Sequence, residues 1–294
     1  MTTSSISPHV ADVIASHQLS GMTFEAGGVG SFVVERGDGA PVVCRHGVPG
    51  SSFLYRKVLT ELATRGLRGV AFDFPGLGLA ERPSDCDYSW SGLARWTGQA
   101  IDALGIDRCH LVVHDIGGPI GFEWAITHPD RVSSLTVLNS PVDVAVFRRP
   151  WPMHPFSIRG FGEAWLVSMR PPAFGWLFRH VGIAENAAIS DAEVDAYVAL
   201  MKRGDHGNAF LKIMRGFELN RAKQDFFYDG LRSRHYPAQV VWGQRDRMLG
   251  DDRRRAVQDA LAVANPLLLP ARHFLQEDQA QAISTAVARL AHGS

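Results

Sequence analysis

Net charge is the first thing this sequence lacks. Its 30 Lys and Arg are matched by 30 Asp and Glu, so no electrostatic surplus exists to draw a polyanionic partner. The one basic run, Arg253 to Arg255, follows directly on Asp251 and Asp252 and reads as a solvated helix face rather than a phosphate patch. Nucleic acid is therefore not an expected partner. Cysteine is scarce and odd in number: Cys44, Cys86 and Cys109 lie far apart with no Cys-x-x-Cys pair, which argues against a disulfide framework and a zinc site and for a reducing compartment. No Lys or Arg precedes Arg36, so the charged start of a secretory or transit peptide is missing, and no apolar run approaches roughly 18 residues. The expectation is a cytoplasmic protein with no membrane partner. The 12 histidines include no His-Glu-x-x-His and no close cluster, so no metal and no cofactor is expected.

What is present suits one large globular domain with an insertion: 294 residues, of which 46% are hydrophobic and 20% charged. Short β-branched runs alternate with longer amphipathic segments up to about residue 140. The runs at 31–35, 41–45, 69–74, 110–114 and 135–139 read as strands, the last three apolar nearly throughout, as strands buried on both faces of a parallel sheet are. Segments 53–63 and 93–104 have helical spacing, with Leu54, Val58 and Leu62 on one face.

The alternation breaks after Pro141. Residues 142–235 are rich in Pro, Trp, Phe and Arg and contain a helix opened by Ser190 with Glu193 three residues on, a capping box, followed by Val194, Tyr197, Val198 and Met201 on one face. The α/β pattern resumes with strands at 238–242 and 266–269, a helix through Val257 and Leu261, and a last helix carrying Ile283, Ala286, Val287 and Leu290. The expected architecture is an α/β core of residues 1–141 and 236–294 around a mostly parallel sheet flanked by helices, interrupted by a helical cap at 142–235.

Three strand ends carry polar residues in a set order. Strand 110–114 runs into Asp115-Ile116-Gly117-Gly118, a sharp strand-to-helix turn of the nucleophile-elbow type with Asp where a Ser is usual. Strand 238–242 runs into Gly243-Gln244-Arg245-Asp246, and strand 266–269 is followed by Ala271-Arg272-His273. Nucleophile, acid and base thus occur as Asp115, Asp246 and His273. Together with His46-Gly47-Val48-Pro49, Ser51 to Arg56, Asp73-Phe74-Pro75-Gly76-Leu77-Gly78 and His273 to Asp278, these blocks resemble the α/β-hydrolase superfamily. Within it they resemble the branch of haloalkane dehalogenases and epoxide hydrolases, whose nucleophile is an aspartate.

An aspartate near its reference pKa of roughly 3.9 is ionised at neutral pH and attacks carbon without a base. The resemblance implies an alkyl ester on Asp115, hydrolysed by water that His273 activates, with Asp246 holding the imidazole and the backbone N–H groups of Ile116 and Val48 receiving the oxyanion. It also implies a small apolar substrate and water as partners, with monomer and homodimer both open, and a leaving-group device. Ile116 and Val48 occupy the places where dehalogenases of this branch carry side-chain donors for the halide. Trp165, Trp151, His154 and Tyr197 are the replacement candidates, with Trp176, Tyr228, Tyr236, His180 and His206 further off. Haloalkane dehalogenation, epoxide opening or related β-lactone opening, and a ligand-binding receptor that keeps the fold all remain open. Asp73 is expected to stabilise a turn and His46 to orient the oxyanion turn. His114 is expected to pack or hydrogen-bond behind the elbow, and Asn139 and Asp143 stand at an alternative position for the acid.

Overall fold

A computed structural model describes residues 7–169 and 171–293. In chain order the regular elements are α1 Pro8–Leu19, β1 Met22–Ala26, β2 Val29–Arg36, β3 Ala40–Arg45, α2 Arg56–Ala63, β4 Leu67–Phe72, α3 Trp90–Ala103, β5 Cys109–Val113, α4 Gly117–Thr127 and β6 Val132–Leu138. They continue with α5 Phe161–Ser168, α6 Pro171–Leu177, α7 Asp191–Lys202, α8 Asn208–Arg215, α9 Arg221–Arg232, β7 Ala238–Gly243, α10 Asp251–Leu261, β8 Leu267–Leu269, α11 Leu275–Asp278 and α12 Ala280–His292.

The strands form one sheet in the order β1-β2-β4-β3-β5-β6-β7-β8. β1 with β2 and β2 with β4 are antiparallel; every other pairing is parallel. β5 at the centre carries Leu111, Val112 and Val113 without exposure on either face, which is why that run shows no alternation. Two elements escaped the sequence reading. β1 is an edge strand with one fully buried residue, and α1 buries only Val10 and His17, so neither shows a clean period.

The parallel strands point their C-terminal ends the same way, and each hands the chain to a loop there. β3 leads to His46–Val48, β5 to Asp115, β6 to Asn139, β7 to Asp246 and β8 to His273. In open α/β sheets ligands bind at this edge. Between β6 and β7, Phe147, Arg149, Pro150, Met153, Met214 and Phe217 line a cavity with Asp115 and His273 at this edge. α7 is capped as the spacing predicts: the Ser190 hydroxyl accepts from the Glu193 N–H at 3.2 Å and Glu193 Oε2 accepts from the Ser190 N–H at 2.9 Å. Val194, Tyr197, Val198 and Met201 are buried.

α9 behaves differently from the rest of segment 142–235. Phe227 is fully buried and meets Phe122 of α4 edge to face at 5.8 Å, and Gly230 lies against Ile126. This helix packs on the sheet's flanking layer because its apolar face continues that of α4. The basic run on α10 also departs from expectation. Arg253 is mostly covered and pairs with Asp143, Arg254 pairs with Asp251 at 2.7 Å, and only Arg255 is exposed. Among the described residues no helix is long and apolar enough to cross a membrane, and no group of three or more His, Cys, Asp or Glu is placed to hold a metal ion.

Candidate active site

Asp115 sits at the tip of the turn between β5 and α4 with φ +53°, a left-handed conformation that Asp and Asn tolerate better than other side-chain-bearing residues. The turn is fastened on both sides: the Asp115 N–H donates to the Asn139 carbonyl at 2.9 Å, and the Ser140 hydroxyl donates to the Asp115 carbonyl at 2.8 Å. Gly117 follows because a Cβ there would stand 2.5 Å from the His46 carbonyl oxygen. Gly47 is needed across the cleft, where a Cβ would come within 2.1 Å of Asp115 Oδ1.

The Asp115 carboxylate faces two kinds of donor. The Val48 N–H donates to Oδ1 at 2.9 Å. Oδ2 lies 3.4 Å from His273 Nε2, which is buried and has no hydrogen-bond partner among the described residues. The other ring nitrogen is committed, with Nδ1 2.8 Å from Asp246 Oδ2. Asp246 is held by four donors. Its Oδ1 accepts from the Met248 and Leu249 N–H groups at 2.7 and 3.1 Å. Its Oδ2 accepts from Asn139 Nδ2 at 2.6 Å as well as from the imidazole. Asn139 Oδ1 in turn accepts from the Gly243 N–H at 2.8 Å. Asn139 is thus a support for the acid. Asp143 is tied to Arg253.

Electrostatics follow from this geometry. Burial alone pushes the Asp115 carboxyl up, but His273, His114 and the Ile116 N–H outweigh it and hold the group below its ordinary range. Burial disfavours the His273 cation, yet the Asp246 charge, reinforced by Asp115, raises its pKa to about 10. His46 and His114 are pulled down to about 3, chiefly by burial, and remain neutral. His46 Nδ1 donates to the Gly47 carbonyl at 2.9 Å while Nε2 accepts from the Phe74 N–H at 3.2 Å, which fixes the turn carrying Val48. His114 Nε2 donates to the His273 carbonyl at 2.9 Å. Asp73, raised by burial, accepts from the Ser52 and Leu79 N–H groups at 2.6 Å each and closes a turn away from the cleft.

Because the folded-state pKa of His273 is raised, the stability it confers is fully present below its ordinary 6.5 and is lost as pH rises through about 10. The unfolding free energy of the native chain relative to His273→Phe should therefore be most favourable below pH 6.5 and decline between there and pH 10. Denaturant titrations across that range check this, and a pH-independent difference contradicts it.

Asp115 and His273 open into a small cavity. Its wall is apolar, with Phe147, Met153, Met214, Phe217 and Leu249, but it also contains Arg149. The four candidates for leaving-group assistance do not line it. Trp151 is 67% exposed and borders a second, outer cavity with Trp176 and His180. His154 is exposed. The Trp165 indole N–H already donates to the Pro152 carbonyl at 3.2 Å. The Tyr197 hydroxyl donates to Glu277 Oε1 at 2.5 Å, buried between α7 and α11. The Trp165 and Tyr197 donors are thus engaged away from the cavity, which departs from the expectation that they face the substrate. Arg149 escaped the sequence reading because it lies in an irregular Phe-Arg-Arg-Pro stretch with no period. Its position just after β6 was the one available signal.

A family model described as the α/β-hydrolase fold matches residues 40–178. Haloalkane dehalogenase 2 of Mycobacterium tuberculosis is 30% identical over 271 residues, covering 86% of this chain and 88% of that protein. The haloalkane dehalogenase of Mycobacterium marinum is 28% identical over 250 residues, covering 82% and 81%. Among solved structures, DBJA superposes with a TM-score of 0.77 at 21% identity over 94% of this chain and 98% of its own. The epoxide hydrolase VrEH1 of Vigna radiata superposes with a TM-score of 0.76 at 21% identity, covering 93% and 98%.

Proposed function

The chain belongs to the α/β-hydrolase family, in the branch of haloalkane dehalogenases and epoxide hydrolases, and from that premise we propose that it hydrolyses a small apolar substrate through an alkyl ester on Asp115, in the manner of a haloalkane dehalogenase. The observation that carries this reading is the Asp115 carboxylate itself: ionised, lifted by a left-handed turn, with Oδ1 on the Val48 N–H and Oδ2 beside His273. A carboxylate so held is a nucleophile toward alkyl carbon and needs no deprotonation.

In the first step Asp115 Oδ2 bonds to the substrate carbon, the bond from that carbon to its leaving group breaks, and the leaving group keeps the electron pair. In the second step water attacks the Asp115 Cγ, passing its proton to His273 Nε2, while the oxyanion on Oδ1 faces the Val48 and Ile116 N–H groups. Collapse expels the alcohol, which recovers the proton from His273. The two steps are coupled electrostatically. Esterification removes the Asp115 negative charge, one of the influences that raise His273, so the imidazole pKa falls in the ester and the ring becomes a readier base there.

The test is a trap. His273→Phe incubated with a panel of bromoalkanes, epoxides and lactones is expected to gain the mass of one substrate fragment on Asp115, read by intact mass and peptide mapping. The native chain run for a single turnover in water labelled with heavy oxygen should carry the label on Asp115 and release unlabelled alcohol. Label in the alcohol alone, with no adduct, would mean direct attack by water and the end of this reading.

A further inference from the structure

Arg149 lines the cavity that contains Asp115 and His273, and its guanidinium is anchored without being neutralised. Nη2 donates to the Met214 carbonyl at 2.8 Å, at the C-terminal end of α8, and the guanidinium carbon lies 4.7 Å from the centre of the Phe217 ring. Nε is buried with no hydrogen-bond partner. The only influence that moves its pKa, downward, is burial, which fits a cation with no carboxylate beside it among the described residues. Arg215, Arg179 and Arg253, by contrast, are paired with Glu163, Asp191 and Asp143. A half-buried cation in an apolar wall next to a nucleophile is placed to meet an anion formed there.

What the wall omits points the same way. Among the described residues no tyrosine or tryptophan lines it, and the Tyr197 hydroxyl is spent on Glu277. A departing alkoxide needs a proton from such a hydroxyl, whereas a halide or a carboxylate needs only charge stabilisation.

Resting on the aspartyl-ester reading, we propose that Arg149 receives the anion released when Asp115 is alkylated, and that the site thereby selects substrates whose leaving group is a stable anion, a halide or the carboxylate of an opening lactone, over epoxides. The step balances without a proton: the bond from Asp115 Oδ2 to carbon forms, the bond from carbon to the leaving group breaks, and its electron pair becomes the negative charge that the guanidinium N–H groups face.

The experiment measures ester formation by rapid quench and intact mass in the His273→Phe background, with Arg149 retained, Arg149→Met or Arg149→Lys. The probes are 1-chlorobutane, 1-bromobutane, 1-iodobutane, β-butyrolactone and 1,2-epoxybutane. With Met at 149 alkylation is expected to slow by about 100-fold for the chloride and by progressively less for the bromide and iodide, with partial recovery for Lys. The epoxide should be the slowest substrate of the parent. Faster reaction of the haloalkanes assigns the anion as halide, and faster reaction of the lactone assigns it as carboxylate; either supports the proposal. Equal slowing of every probe by Arg149→Met, unchanged rates in both variants, or an epoxide that alkylates fastest overturns it. Arg149→Lys keeps the charge, so it remains a test if the Met variant fails to fold. Absence of any adduct with Arg149 retained is a separate result: it removes the aspartyl ester itself, whereas alkylation indifferent to residue 149 removes only the role of Arg149.

Discussion

Asp115→Asn should fold like the native chain and turn over at most about one ten-thousandth as fast, on the scale of losses seen when a covalent nucleophile is removed. The two halves of that expectation have separate physical sources. The left-handed φ of +53° at position 115 suits Asn at least as well as Asp, and an Asn carbonyl still accepts from the Val48 N–H that now meets Oδ1. The amide also ends the attraction between Asp115 and His273, so the imidazole should titrate lower than in the native chain, where Asp115 helps raise it. What the amide lacks is the negative oxygen that attacks carbon. Thermal melting and steady-state turnover on whichever probe alkylates the His273→Phe trap check both halves. Residual turnover above one-tenth of native would show that Asp115 is not the nucleophile.

Glu277→Gln is expected to cost about 3 kcal/mol of folding stability, at the low end of the roughly 3–5 kcal/mol found when one partner of a buried ion pair is removed. The Glu277 side chain is fully buried and serves as a common acceptor. Oε1 lies 2.6 Å from Arg56 and 2.5 Å from the Tyr197 hydroxyl, and Oε2 lies 2.9 Å from Lys57. Arg56 continues to Glu193 at 2.7 Å. One carboxylate thus joins α2, α11 and α7. Neutralising it strands Lys57, which is 31% exposed, and leaves Arg56, 19% exposed, with Glu193 alone; the residual exposure and the remaining pair are why the lower figure applies. Urea titration measures the loss. A second variant, Lys57→Met with Glu277→Gln, should recover part of it, because it removes the cation that neutralisation strands while Arg56 keeps Glu193. A Gln variant within about 0.5 kcal/mol of native would show that the cluster contributes nothing beyond packing.

This cluster also marks where the sequence stops being legible. Glu277 is visible as part of the block from His273 to Asp278, and Tyr197 as one of the apolar positions of α7, but nothing local brings them together across 80 positions. The same limit applies to Trp165, Trp151, His154 and Tyr197 as leaving-group assistants. Each is chemically able to donate, and whether it faces the cavity depends on which nearer acceptor it meets first. Trp165 finds the Pro152 carbonyl, Tyr197 finds Glu277, and Trp151 is left at the rim of the outer cavity. The sequence places α9 with the inserted segment for a related reason. Segment 142–235 is bounded in sequence by β6 and β7, but the flanking layer recruits its last helix through Phe227.

The sequence by itself determined the order of chemistry along the sheet: an aspartate elbow after β5, an acid after β7 and a histidine after β8. That information is local, because doubly buried strands are continuous apolar runs and the turns that follow them need glycine wherever backbones approach closely, as at Gly117 and Gly47. Only the tertiary structure decided what faces the carboxylate from above. The residues after β6 have no single period to orient them, and a lone arginine in an irregular stretch acquires its meaning from what surrounds it: an apolar wall, a carbonyl at the end of α8, and no carboxylate to pair with among the described residues.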